Sequence, residues 1–341
     1  MAEIASARAS SAFPEEQVLE IVRGFWQSRA LAIAAELEIA DRLADGPLAI
    51  DALGEKTQTH APSLFRLMRA LESAGVFKQV SPRIFANTPA SECLRKDVPG
   101  SLWAFVRTIL SKGFGQYDSW GDFVTSVRTG RAAFDQLYGC GPWEFFHGNP
   151  EIWAVFNQAM RAASALITPI VAASYNWRKF PVIADIGGGI GSQLVAILDA
   201  HPSSRGILFD QPGVLAEALQ HERIERVAGN FFEAVPSGAD AYTMRWIMHD
   251  WQDPQAVIIL KNIREAMPAD SRVVLIEEII PDTPELTWGK WIDLHMMTVT
   301  GGRERTLSEY TDLFAQSGFE LEKVVPMPIG GCSLIIGCPQ P

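Results

Sequence analysis

The chain is predicted to be an α/β protein, a doubly wound Rossmann-like sheet preceded by an N-terminal helical winged-helix domain. Three observations predict this. From residue 181 the sequence alternates strand-like and helix-like segments. A glycine-rich turn stands between the first such strand and its helix. Before residue 100, three helical patterns are followed by a hairpin pattern.

The elements follow in order. Residues 1–14 are Ala/Ser-rich without an apolar h-region, which predicts a flexible tail and not a signal peptide. Over 15–45, Phe25, Trp26, Ala30, Leu31, Ile33, Ala34, Leu37, Ile39 and Leu43 form a wide apolar stripe of helical period. Pro47–Leu53 opens a short helix, and Ala61–Ala74 forms another with Leu64, Leu67, Met68 and Leu71 on one face and Gly75 just beyond its end. Val76–Val80 and Arg83–Phe85 read as a hairpin around Ser81-Pro82. Residues 15–100 are therefore the expected winged-helix domain. Its third helix carries Arg66 and Arg69 but also Glu72, with no basic stripe, so packing and dimerisation fit better than DNA readout. Residues 101–180 are helical and aromatic, an expected connector contributing to a pocket. Strands are expected at 182–186, 206–209, 224–228, 239–245, 272–278, 319–326 and 334–338, within a catalytic domain spanning 181–341.

Bulk composition narrows the class. Of 341 residues, 48% are hydrophobic and 20% charged, values of a soluble globular protein, and the net charge is −11. An acidic chain is poorly suited to nucleic acid or anionic membrane. The four cysteines are scattered without metal-like pairing or a disulfide framework, and no run of 18 apolar residues occurs, so a cytoplasmic protein without a membrane span is expected.

The turn is Ile183-Ala-Asp-Ile-Gly-Gly-Gly-Ile-Gly191, and Asp210 ends the next apolar run. Glycine permits positive φ and close backbone approach to a ligand, and Asp210 can accept hydrogen bonds from ribose hydroxyls. A dinucleotide fingerprint starting at Gly187 needs glycine at 192, where the chain has Ser192. Asp185 beside the turn suits a sulfonium or ammonium ligand better than a pyrophosphate. These residues favour S-adenosyl-L-methionine (SAM) over a nicotinamide cofactor.

His249 and Asp250 follow the fourth strand of the sheet, near the same carboxyl edge as the turn. Glu277 and Glu278 end the next strand, and Glu304 precedes a helix starting near Leu307. A histidine with a carboxylate neighbour is a usual general base near neutral pH, the carboxylate fixing its tautomer. A metal is not expected: His249 and Asp250 are adjacent in sequence and no third and fourth ligand stand at metal spacing, His295 being the only other candidate.

Five motifs in order resemble the SAM-dependent O-methyltransferases of plant caffeic-acid, isoflavonoid and bacterial secondary-metabolite pathways. They are Asp-Ile-Gly-Gly-Gly-Ile-Gly191, Phe209-Asp-Gln-Pro212, Gly229-Asn-Phe-Phe-Glu233, Arg245-Trp-Ile-Met-His-Asp-Trp251 and Gly301-Gly-Arg-Glu-Arg-Thr306. The resemblance implies roles for single residues. His249 would deprotonate the acceptor hydroxyl, with Glu277 and Glu304 bracketing its ring and Asp250 beside it. Asp185, Gly187, Gly189 and Asp210 would hold SAM, with Asn230 and Phe231 reaching its adenine, Arg245 lying beside the cofactor and Ser164 contacting its carboxylate tail. Phe156, Met160, Met296 and Met297 fall where acceptor-ring contacts lie. Asn230 departs from the family's more usual Asp, and the segment between Met297 and Glu304 is one residue shorter than in the plant enzymes.

The resemblance implies a homodimer through the N-terminal domain, with SAM converted to S-adenosyl-L-homocysteine (SAH), a small aromatic hydroxyl compound as acceptor and no metal. Rival expectations are a relative that methylates nitrogen or carbon, hydroxylates or decarboxylates; a winged-helix regulator; and a nicotinamide oxidoreductase.

Overall fold

A computed structural model describes residues 13–328 and 332–340. Nearly all of the expected tail, residues 1–12, lies outside the described residues. The chain forms two compact units, residues 1–121 with 143–163, and residues 122–142 with 164–341. Residues 101–180, expected as one connector, are thus divided between them. The Pro150–Ser174 helix belongs to the first unit up to Ala163 and to the second from Ser164.

In the first unit the Pro14–Glu36 helix is followed by Ile39–Arg42, β1 (Leu48–Ala49), Ile50–Thr57, Ala61–Ser73, β2 (Phe77–Ser81) and β3 (Ile84–Asn87). The strands form a small antiparallel sheet in the order β1-β3-β2. Ile39, Leu43, Ile50, Leu53, Leu64, Met68, Leu71, Phe77 and Phe85 make its core. The helix expected to open at Pro47 begins only at Ile50. Leu48 pairs opposite Phe85 and Ile50 N–H donates to the Arg83 carbonyl, so cross-strand pairing overrides helical pattern there. The first helix leaves Ile21 71% and Trp26 64% exposed, with Val18, Phe25 and Val22 also exposed. Within this unit Phe156 stacks on Phe146 with centroids 4.6 Å apart, beside Trp153, and Met160 is partly buried one turn further along the same helix.

The second unit holds seven strands, β4 (Val182–Ile186), β5 (Arg205–Asp210), β6 (Ile224–Ala228), β7 (Ala241–Arg245), β8 (Arg272–Glu278), β9 (Phe319–Pro326) and β10 (Cys332–Pro339). Their order is β6-β5-β4-β7-β8-β10-β9. β4 to β8 pair in parallel, whereas β10 is antiparallel to both β8 and β9. The chain steps outward from β4 on one side and returns through β7 on the other. That reversal is the switch point at which open α/β sheets bind ligands, and the glycine turn lies there. Two apolar layers cover the sheet. Residues such as Ile183, Ala241, Ile276 and Leu334 face one, and Ala184, Tyr242, Leu275 and Ile335 face the other. Among the described residues no helix is long and apolar enough to cross a membrane.

Candidate active site

The glycine turn runs from β4 into the Ser192–Ala200 helix, with Gly187, Gly189 and Gly191 at φ of 69°, 60° and 83°. An added Cβ at Gly187 would lie 2.8 Å from Ile247 Cδ1 and 3.7 Å from Phe231 Cε1, so a side chain there would fill the cradle. At Gly189 the same position is open. Asp210 reaches back to this turn. Its Oδ2 accepts from Gly189 N–H at 2.8 Å and its Oδ1 from Gln211 N–H at 2.7 Å, while burial raises its pKa. Each oxygen keeps lone-pair capacity for further donors.

Asp185 is 2% exposed, and its Oδ1 accepts from Thr243 Oγ1 at 2.7 Å and Gln193 Nε2 at 3.1 Å. Burial lifts its pKa to about 6, although those bonds and the charge of Arg245 pull the other way. It lies beneath the turn, its carboxylate already held by the protein. Arg245 donates to Thr168 Oγ1 at 3.0 Å, and Ser164 is one helical turn before Thr168 on the same face. Asn230 closes its own turn: its Oδ1 accepts from Phe232 N–H at 3.0 Å and its Nδ2 donates to Glu233 Oε1 at 3.1 Å. Phe231 packs edge-on to Trp251 and borders Gly187.

A second cluster forms where β7 and β8 end. His249 sits in the Met248–Asp250 turn, with Nδ1 2.7 Å from Glu304 Oε1 and 3.8 Å from Glu277 Oε2. A carboxylate can only accept at the short contact, so Nδ1 carries the proton. Both acids stand at the Nδ1 edge of the ring. The tautomer-fixing role expected of the neighbour Asp250 falls to Glu304, because Asp250 Oδ1 is 4.0 Å from Nε2, beyond hydrogen-bond distance.

The backbone makes this geometry. Glu277 Oε1 accepts from Ile247 N–H at 3.0 Å and Met248 N–H at 2.9 Å, pinning the turn to β8. Arg305, fully buried, donates to the carbonyls of Met248 and Trp251 at 2.9 and 2.8 Å and to Asp253 at 2.9 Å. Gly302 packs so closely that an added Cβ would stand 2.0 Å from the His249 carbonyl oxygen. Asp293 accepts from Glu304 N–H at 2.9 Å, and a capping box of Thr306 and Glu309 starts the next helix. Motif reading did not single out Thr168, Thr243, Gln193, Asp293 or Arg305. Only Arg305 carried a signal, its place inside Gly-Gly-Arg-Glu-Arg-Thr.

Electrostatics separate the groups. Burial pulls the His249 pKa down, but Glu304 through charge and hydrogen bond, then Glu277 and Asp250, outweigh it and push it up to about 10. Burial raises Glu277, and lifts Asp250 to about 6 against the charge of His249. His295 is pushed down to about 4 by burial and by His249. His249, Glu277 and Glu304 converge closely enough to be considered as metal ligands. The 2.7 Å contact is instead the length of a charge-assisted hydrogen bond. One oxygen of Glu277 is also committed to backbone N–H groups. Met296 and Met297 lie partly buried on the Trp288–Val299 helix of the same unit.

A glycine turn faced by Asp210 and a carboxylate-held histidine stand along one sheet edge, and comparison with known proteins gives the class: a SAM-dependent transferase. The O-methyltransferase domain family matches residues 120–320, and the O-methyltransferase dimerisation domain family matches residues 19–97. The chain belongs to the O-methyltransferase family. It is 39% identical over 320 residues to the phenazine O-methyltransferase PhzM of Lysobacter antibioticus, covering 92% of this chain and 93% of that one. To the mitomycin biosynthesis 6-O-methyltransferase of Streptomyces lavendulae it is 35% identical over 335 residues, covering 96% and 95%. The crystal structure of LaPhzM superposes with a TM-score of 0.89 at 38% identity, covering 95% of this chain and 99% of that one.

Proposed function

We propose that the chain transfers the methyl group of SAM to a hydroxyl, phenolic in character, of a small aromatic metabolite, with His249 as general base. The observation that carries this reading is the 2.7 Å pairing of His249 Nδ1 with Glu304, which leaves Nε2 as the nitrogen able to take a proton. Relatives named for phenazine and mitomycin methylation support an aromatic acceptor.

The cradle fits SAM: Gly187 and Gly189 give the backbone room, Asp210 offers carboxylate oxygens for ribose, and Phe231 supplies an apolar wall for adenine. Asn230, Arg245 with Thr168, and Ser164 complete the proposed cofactor contacts, and Asp185 acts through the turn above it. When bound, SAM supplies an already activated methyl group on a sulfonium, so the protein needs only to orient and deprotonate the acceptor. Orientation contributes up to roughly 7–11 kcal/mol. A phenol of pKa about 10 is a weak nucleophile at neutral pH, and a positioned base adds about 10²–10⁴ in rate. Burial lowers the His249 pKa, but Glu304, Glu277 and Asp250 push it up to about 10, which favours the protonated ring before SAM binds. It becomes a base when a cation occupies the pocket, since like charge lowers an imidazole pKa. Glu304 then stabilises the imidazolium that forms. Phe156, Met160, Met296 and Met297 are the proposed acceptor contacts, thioethers being adaptable against flat rings.

Transfer to nitrogen is the rival reading, supported by a relative named 8-amino-8-demethylriboflavin N,N-dimethyltransferase at 34% identity. Incubation with methyl-labelled SAM and a panel of phenols, catechols and hydroxyquinones decides the matter. Mass spectrometry should show a gain of one labelled methyl on oxygen; label on nitrogen alone would refute the hydroxyl assignment. We also propose a cytoplasmic homodimer built on the exposed face of the first helix, which light scattering tests directly: a monomeric mass refutes it.

A further inference from the structure

Three ligand-bearing side chains converge at one edge of the His249 ring. Nδ1 stands 2.7 Å from Glu304 Oε1 and 3.8 Å from Glu277 Oε2, and one ligand atom from each residue lies within 4.8 Å of the other two. Both carboxylates are closed off from solvent, and only the His249 ring, 13% exposed, meets it.

Donors run short on this edge. The Nδ1 proton serves Glu304 Oε1, and two backbone N–H groups serve Glu277 Oε1. Glu277 Oε2, the oxygen that faces Nδ1, has no hydrogen-bond partner among the described residues, and neither has Glu304 Oε2. Buried acceptors are nearly always paired, so these oxygens are set for a positive charge beyond the single proton on Nδ1.

The donor set says which charge fits. One imidazole nitrogen with two carboxylate oxygens suits zinc better than magnesium, which prefers an octahedron of oxygens. Tetrahedral zinc, at about 2.0–2.2 Å from each nitrogen or oxygen, holds its ligands about 3.3–3.6 Å apart. The separations of 2.7 and 3.8 Å straddle that spacing. The ligands are also oriented from behind: Ile247 and Met248 N–H hold Glu277, and Asp293 holds the Glu304 backbone.

We propose that these residues form an inhibitory zinc site, in which Zn²⁺ replaces the Nδ1 proton and is bound by His249 Nδ1, Glu277 Oε2 and Glu304 Oε1, with water in the fourth position. The proton leaves to solvent, and the electron pair of its N–H bond becomes the zinc–nitrogen bond. An imidazole metallated at Nδ1 keeps its remaining proton on Nε2. Nε2 is the nitrogen assigned to the acceptor's proton, so the metallated ring cannot take that proton. Zinc is thus a switch that turns the base off and no part of methyl transfer. The metal site stands on geometry alone, whereas its inhibitory effect rests on the general-base reading above.

The test strips the full-length protein with a chelator and titrates it with ZnCl₂ against a chromophoric competitor. One zinc should bind per chain, and X-ray absorption should show nitrogen and oxygen neighbours at about 2.0–2.2 Å with no sulfur near about 2.3 Å. Glu277→Gln and His249→Gln should each weaken zinc by more than the roughly 10–100-fold typical of losing an outer partner, with melting curves showing that both variants fold. His221→Ala, which removes the surface pair of His221 with Asp199, should bind zinc as the native protein does, and Mg²⁺ should not compete. Sulfur at the metal, unchanged affinity in both cluster variants, or zinc lost only in His221→Ala would mark an adventitious ion only and overturn the site. Transfer of labelled methyl to a phenol should fall in proportion to zinc occupancy and return with EDTA; full transfer by the zinc-loaded protein would overturn the switch. No transfer to any phenol before zinc is added would overturn the methyltransferase reading and the switch with it, while the titration still decides the site.

Discussion

Nδ1 of His249 lies 2.7 Å from Oε1 of Glu304, and the carboxylate belongs to a segment fixed through Arg305 to the very turn that carries the histidine. The pair is thus set by two backbone segments that brace each other. Its electrostatic consequence is a His249 pKa that burial lowers but Glu304 more than offsets, pushing it up to about 10.

That consequence predicts a link between SAM binding and protons. A cation bound beside the cluster favours neutral His249, so SAM binding should release protons and tighten as pH rises from 7 toward 10. SAH, which lacks the sulfonium, should show a markedly smaller dependence. Calorimetry in buffers of different ionisation enthalpy measures the difference; equal proton release for the two ligands contradicts it.

The same shift predicts how stability depends on pH. The folded-state His249 pKa, about 10, lies above its ordinary value near 6.5. A raised pKa gives stability that is fully present below about 6.5 and is lost as pH rises through 10. Thermal melting of the ligand-free protein should therefore fall across that window. In Glu304→Gln the loss over the same window should shrink, because the largest source of the upward shift is gone.

Arg305 is predicted to be a positioning residue. Lysine keeps the charge but loses the planar fork that meets Met248, Trp251 and Asp253 together. Arg305→Lys should lower stability by about 3 kcal/mol, in the range for disrupting a buried ionic group. It should also reduce kcat with little change in SAH affinity. Denaturant melts beside steady-state kinetics test both halves.

Two glycines should separate binding from chemistry. Gly187→Ala places a methyl against Ile247 at a positive φ and should weaken SAH binding by roughly tenfold or more. Gly302→Ala collides with the His249 carbonyl and should depress kcat while leaving SAH affinity nearly intact. Calorimetric titration of both variants would expose an inverted pattern.

Much of this site was legible in sequence because its parts are local. The glycine turn, Asp210 and His249 each sit at a strand end that hydrophobic periodicity locates. The resemblance pointed to Glu277 and Glu304 at the ring, but local pattern alone points to the adjacent acid. Asp250 is nearest in the chain but 4.0 Å from Nε2, whereas Glu304, 55 residues away, bonds Nδ1. Burial of Asp185 was also hidden, because its partners Gln193 and Thr243 come from a different helix and strand. Likewise the strand at Leu48–Ala49 exists only through its pairing with β3, which no local pattern encodes.

The most direct test of the central claim is single-turnover transfer of labelled methyl to whichever phenol the native protein methylates fastest, compared between native protein and His249→Gln at saturating SAM and pH 7. Transfer should slow by about 10²–10⁴ while the SAH Kd stays within about twofold. Transfer at the native rate, with SAH binding intact, would show that His249 is not the base.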